Sequence, residues 1–230
     1  MDHFPEFKYY VQPSLFEYGG TTTGSLELIP QLWYVAEALT SRSSDALLAA
    51  IEYIIKQDAA KLSSLISYML VTRICDPNIQ VRIAVIRALG DIFCLDEKGM
   101  ETPSDVKLTL YEQFSRLEEE DVLAILQAAE VDPSLDIDIE VLFQSSSTAG
   151  HHLVNILKDR RQPARIRGLA TEYVGRIGYL DAIPDLERLQ NRLIAKQNGQ
   201  KAFPFNQHNI RNENQLLTRI RTALEDLTAP

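Results

Sequence analysis

An all-α fold is what this sequence predicts, and three observations carry it. Apolar residues recur three or four apart along most of the chain, as in Val81, Val85, Ala88, Leu89 and Ile92, the spacing of a single helix face. No stretch alternates with period two over a length that makes a convincing strand. The segment opening at Val81-Arg82 returns at Ile166-Arg167, about 85 residues later, and half that interval lands on Val122-Leu123 with the same apolar spacing. A period of about 42 lies in the range of paired-helix repeats.

Five helix pairs are expected, preceded by an arm over 1–25. The first pair spans 26–40 and 44–56, and Pro30 in Leu28-Ile29-Pro30 marks its start, since proline fits a first helical turn and lacks only a donor that has no partner there. The second pair spans 59–74 and 78–94, divided by the turn dipeptide Asp76-Pro77. For the third, 104–117 and 120–130, Glu118-Glu119-Glu120-Asp121 reads as acidic residues set against the positive end of a helix dipole. Ser145-Ser146-Ser147-Thr148 supplies a loop and a cap for the fourth, 147–160 and 163–177. The fifth, 181–197 and 211–227, opens at Ala182-Ile183-Pro184 and is interrupted by an insertion over 198–210. The helical domain is thus 26–230.

The pattern Asp76-Pro77, then Val81-Arg82, then Ala88-Leu89-Gly90, together with Gly178-Tyr179-Leu180-Asp181-Ala182-Ile183-Pro184-Asp185-Leu186, resembles HEAT repeats, including the HEAT-like variety of phycobilin lyases. The resemblance covers roughly 26–227 and is best at 59–94 and 147–197. The third unit departs from it, with Leu123 in place of the arginine and Glu130 in place of the glycine. It implies an α-α superhelix, a HEAT-like solenoid whose second helices line a concave surface, usually used to hold a protein partner. In such repeats the arginine, here Arg82 or Arg167, hydrogen-bonds an Asp or a backbone carbonyl of a neighbouring turn, and Asp76 and Asp159 stand in suitable turns.

Composition narrows the function. With 23 Lys and Arg against 32 Asp and Glu the net charge is −9, which disfavours generic adhesion to nucleic acid or anionic membrane. No apolar run reaches the roughly 18 to 20 residues that cross a bilayer, and the N-terminus lacks the basic and apolar regions of a secretory signal. A cytoplasmic protein is expected. Cys75 and Cys94 lie in apolar helical stretches and are expected to be buried and reduced.

The charge is unevenly shared. Residues 151–230 carry thirteen Lys and Arg and eight Asp and Glu, net +5, which leaves −14 on residues 1–150. Arg188, Arg192 and Lys196 recur every four residues as one stripe, while Arg165 and Arg176 share a face of the preceding helix. Such a cradle suits an acidic protein segment or nucleic-acid phosphates; solvated, partly neutralised helix faces are the simpler alternative. Phe203 and Phe205 in the insertion offer two aromatic anchors. In the arm, Phe4, Phe7, Tyr9, Tyr10, Phe16 and Tyr18 are too apolar for a solvated tail, so it is expected to dock, on the first helix pair or on a partner.

Catalytic patterns are missing: no Gly-rich phosphate loop, no Gly-x-Ser-x-Gly, no His-Glu-x-x-His and no Cys-x-x-Cys. His151 and His152 are adjacent, so their rings diverge by about 100° on a helix and cannot chelate one metal together. The expectation is a monomeric, non-catalytic scaffold or adaptor without cofactor or metal. It grips a protein partner through Arg165, Arg176, Arg188, Arg192, Lys196, Phe203 and Phe205. The alternatives are nucleic-acid binding by the same basic third, and a phycobilin-lyase-like or chaperone subunit. DNA glycosylases of HEAT-like build fit poorly, given the acidic chain and a single tryptophan, Trp33.

Overall fold

The computed structural model describes residues 35–95, 99, 101–200 and 207–229, which contain helices and no strand. The expected arm, Trp33, most of the first helix, Phe203 and Phe205 lie outside the described residues. After a helical segment over 35–39, α1 (Ser44–Lys56), α2 (Ala59–Leu62), α3 (Ser64–Val71) and α4 (Ile79–Asp91) make up the first part. Then come α5 (Ser104–Phe114), α6 (Glu119–Val131), a 3-10 turn at Pro133–Leu135, α7 (Asp136–Gln144), α8 (Ala149–Lys158) and α9 (Ala164–Arg176). A second 3-10 turn at Leu180–Ala182 leads into α10 (Ile183–Gln200), and α11 (Gln207–Thr228) ends the chain. The last two helices take up both ends of the expected 198–210 insertion.

Local chemistry starts these helices where the sequence places them. Ser43 and Asn78 accept hydrogen bonds from the amides of Ala46 and Gln80 at the starts of α1 and α4. The Glu118 amide donates to Asp121 Oδ2 at 2.9 Å, so the acidic run does cap α6. Ser146, 8% exposed, accepts from the amide of Ala149 and donates to the carbonyl of Phe114, fixing the start of α8 on the end of α5.

The second helices of the pairs pack in file: α1 on α4, α4 on α6, α6 on α9 and α9 on α11. Alongside, α3 packs on α5, and α8 on α6 and α9. Ile51, Ile86, Leu89, Ile125, Leu126, Val174 and Ile220 are fully buried in one continuous core, each contributing about 2 kcal/mol over its exposed state. Two glycines let helices approach where a side chain would not fit. A Cβ on Gly90 would stand 2.5 Å from that of Asp138 in α7, and one on Gly175 would stand 2.9 Å from the Cα of Ala223 in α11. These glycines occupy the same place in the repeat, one period pair apart.

Several expectations are corrected. The helix foreseen over 59–74 is two, because Ser63 is extended (φ −139°, ψ 112°) and its hydroxyl caps α3 through the amide of Ile66. The helix α7 falls where none was expected. Asp136-Ile137-Asp138-Ile139-Glu140-Val141 alternates like a short strand, but burial follows the helical set Ile139, Leu142 and Phe143 and leaves Ile137 75% exposed. Cys75 and Cys94 are free thiols but exposed, since both sit in turns just past a helix end rather than on an apolar face.

The repeat arginines do bond backbone carbonyls, as expected, but neither takes the aspartate offered for it. Arg82 donates to Gln127 Oε1 at 2.7 Å and to the Ala124 carbonyl at 3.4 Å, both on α6, the next second helix. Asp76 instead accepts from the Asn78 amide and pairs with Arg73. Arg167 donates through Nε to the Leu157 carbonyl of α8 at 2.8 Å, while Asp159 is taken by Arg161.

Candidate functional site

The basic third of the chain comes from α8, α9, α10 and α11, and the structure sorts its cations by partner. Arg165, on the first turn of α9, reaches Glu130 of α6 at 3.2 Å with its side chain 76% exposed. Arg176, at the other end of α9, lies 5.5 Å over the Tyr173 ring and pairs with Asp136 at 3.4 Å and with Glu172. Burial opposes its charge, but those two carboxylates prevail and raise its pKa. On α10, Lys196 bonds Glu213 of α11, and Arg188 stays loosely beside Asp185 at 3.8 Å, beyond hydrogen-bond length.

Arg192 differs from the other four in having no carboxylate within ion-pair distance among the described residues. Burial and then Arg160, in the turn between α8 and α9, hold its pKa below the usual guanidinium range, with Glu213 opposing the shift. Arg167 is half-buried and likewise depressed, first by burial and then by Arg192 and Arg160. The expected stripe is therefore largely neutralised. Arg160, Arg167 and Arg192 have no ion-pair partner among the described residues. Sequence reading gave Arg167 a structural role and passed over Arg160, although the run Lys158-Asp159-Arg160-Arg161 was a visible signal.

At the other end of the file, the apolar side chains of Leu48, Ile51, Ile55 and Ala84 and the charged ones of Glu52, Lys56 and Arg87 line a cleft of about 470 Å³ between α1 and α4. Arg87 is tied to Asp132 at 3.0 Å. His151 and His152, on α8, stack edge to face at 5.7 Å, and no group of three metal-ligating side chains occurs among the described residues. No helix there is long and apolar enough to cross a membrane. Compared with models of protein families, with characterised proteins and with solved structures, the chain finds no match.

Proposed function

We propose that the chain is a HEAT-like solenoid that acts as a non-catalytic scaffold or adaptor, holding a protein partner on the face made by its second helices. What supports the reading is the file of α1, α4, α6, α9 and α11, together with the equivalent glycines Gly90 and Gly175, 85 residues apart, each of which lets another helix approach closely, α7 at Gly90 and α11 at Gly175. A stack of this kind offers an extended surface while each unit rests only on its neighbours. That surface has an apolar cleft at one end, and the turn after α8 and the neighbouring α10 add Arg160 and Arg192, which have no ion-pair partner among the described residues; apolar anchor and steering charge are the mix that protein interfaces use. A cytoplasmic monomer suits this role.

The test is affinity capture of the tagged chain from its native lysate, with and without nuclease. A stoichiometric protein that survives nuclease, and is lost when Arg188 and Arg192 are both changed to Glu at unchanged helicity, supports the reading. Material captured only without nuclease, with an affinity that falls steeply with salt, replaces it by nucleic-acid binding.

A further inference from the structure

We infer that the aromatic arm over 1–25 docks on the exposed side of α3 and α5, an interaction surface whose occupant is the chain's own N-terminal segment. Among the described α-helices only α3 carries no charged residue. From Leu62 to Thr72 the chain reads Leu-Ser-Ser-Leu-Ile-Ser-Tyr-Met-Leu-Val-Thr, eleven residues without an acid or a base in a chain that is 24% charged. A helix apolar all round belongs in a core, covered on every side.

α3 is covered on one side only. Ile66, Ser67 and Leu70 are buried, while Leu65 and Tyr68, on the opposite side of the helix, are 56% and 44% exposed, with exposed Thr72 in line. α5 packs alongside α3 and buries Val106, Leu110 and Phe114, and away from that stripe Leu108 and Tyr111 are 61% and 44% exposed. Single exposed apolar residues are ordinary on a surface; pairs of them at helical spacing on two adjoining helices, one of the helices uncharged, mark a place where something binds.

Composition, connection and tethering point to the arm. It carries Phe4, Phe7, Tyr9, Tyr10, Phe16 and Tyr18, with Lys8 against Asp2, Glu6 and Glu17, net −2, so an uncharged surface suits it and Tyr68 and Tyr111 offer rings to its rings. The chain passes from the arm into the helical segment 35–39, and the end of that segment is fastened to the end of α3. Arg73, just past α3, donates through Nε to the Leu39 carbonyl at 2.9 Å and reaches the Ser41 carbonyl at 3.5 Å. Residues 19–34 reach at most about 55 Å, several times the roughly 12 Å length of α3. A tether of this length holds the arm at an effective concentration on the order of millimolar. A second copy of the chain has no such advantage, and it would bring one net charge of −9 against another. Docking on α3 and α5 leaves the second-helix face free, so the inference stands apart from the adaptor reading.

The experiment uses the full purified chain with the photoreactive analogue benzoylphenylalanine in place of Phe7 or of Phe16. After irradiation and digestion, mass spectrometry is expected to find within-chain cross-links to the segments 62–72 or 104–114. Leu65→Lys with Tyr68→Lys, both at exposed positions, is expected to lower the yield about fivefold or more at unchanged helicity. Ile137→Lys, an exposed apolar position on α7 outside this surface, is expected to change it less than about twofold. Leu108→Lys gives the same test from α5 should the double variant lose helicity. A covalent dimer as the main product assigns the surface to a second copy and overturns the proposal. Cross-links confined to other segments, no within-chain cross-link, or a yield that ignores the lysines overturns it equally.

Discussion

Gly175 and Ala223 meet where α9 crosses α11, so closely that a methyl group on the glycine would lie 2.9 Å from the partner's Cα. The obstacle is backbone, so only a shift of the helices relieves it. Gly175→Ala should therefore lower stability by about 1 to 3 kcal/mol, although glycine to alanine in a helix interior otherwise gains up to about 1 kcal/mol. Chemical denaturation of the two proteins checks this. A neutral or stabilising result would show that the crossing is looser than described.

Arg82 ties α4 to α6 through Gln127 and the Ala124 carbonyl, and its own Nε is buried without a hydrogen-bond partner. Arg82→Ala should cost about 1 to 3 kcal/mol, because it strands the acceptors on α6. Gln127→Ala should cost less, since the carbonyl remains for the arginine. A double-mutant cycle read by urea denaturation should return a coupling of at least about 0.5 kcal/mol; additivity would deny the contact.

Asp138 packs against Gly90, and burial raises its pKa, with Arg87 opposing and Asp91 reinforcing the shift. A carboxyl whose folded pKa lies above its unfolded value of about 3.9 destabilises the fold when ionised. Its contribution improves as pH falls through the folded pKa and stops changing below the unfolded one. Asp138→Asn should thus raise the melting temperature near neutral pH, and the gain should vanish at about pH 3 to 4. Thermal melts at both ends of that window decide it; a gain independent of pH would remove the electrostatic cause.

Cys75 is exposed as a residue, yet partial desolvation and then the hydrogen bond and charge of Asp121, 3.1 Å from its sulphur, push its thiol up to about 12. Alkylation proceeds through the thiolate. Cys75 should react with iodoacetamide more slowly than an ordinary exposed thiol at mildly alkaline pH, and Asp121→Asn should speed it. Peptide mass spectrometry against time reads both rates, and equal rates in the two proteins would deny the Asp121 effect.

The helices were legible where the sequence stated both face and boundary. Asp76-Pro77 and Asn78 before Val81 announce α4, and Pro184 announces α10. The fold reading failed at α7, where three acidic residues interleave with β-branched ones and only Leu142 and Phe143 betray the helical period. In the basic third the stripe was visible as spacing, but spacing does not say which cation meets a carboxylate. Glu130, Asp136 and Glu213 come from other helices, and only the packing of α6, α7 and α11 brings them to Arg165, Arg176 and Lys196. Arg192 stands apart because no carboxylate of the described residues comes within ion-pair distance of it, Glu213 acting on it only from farther off.

The unforeseen α7 also bears on how this chain can be cut or extended. It packs on α4 at Gly90 and reaches α9, where Tyr173 donates to Asp136 at 2.9 Å and meets Phe143 edge to face at 5.3 Å. A uniform array can lose one period and reseal, because every junction is alike. Here the third unit carries a wedge that fits one neighbour on each side. Duplicating the unit of α5, α6 and α7 would set one copy of α7 against α6, which carries Glu130 where α4 carries its glycine. On these contacts the units are not interchangeable: α7 fits between α4 and α9 because of Gly90 on one side and Tyr173 on the other.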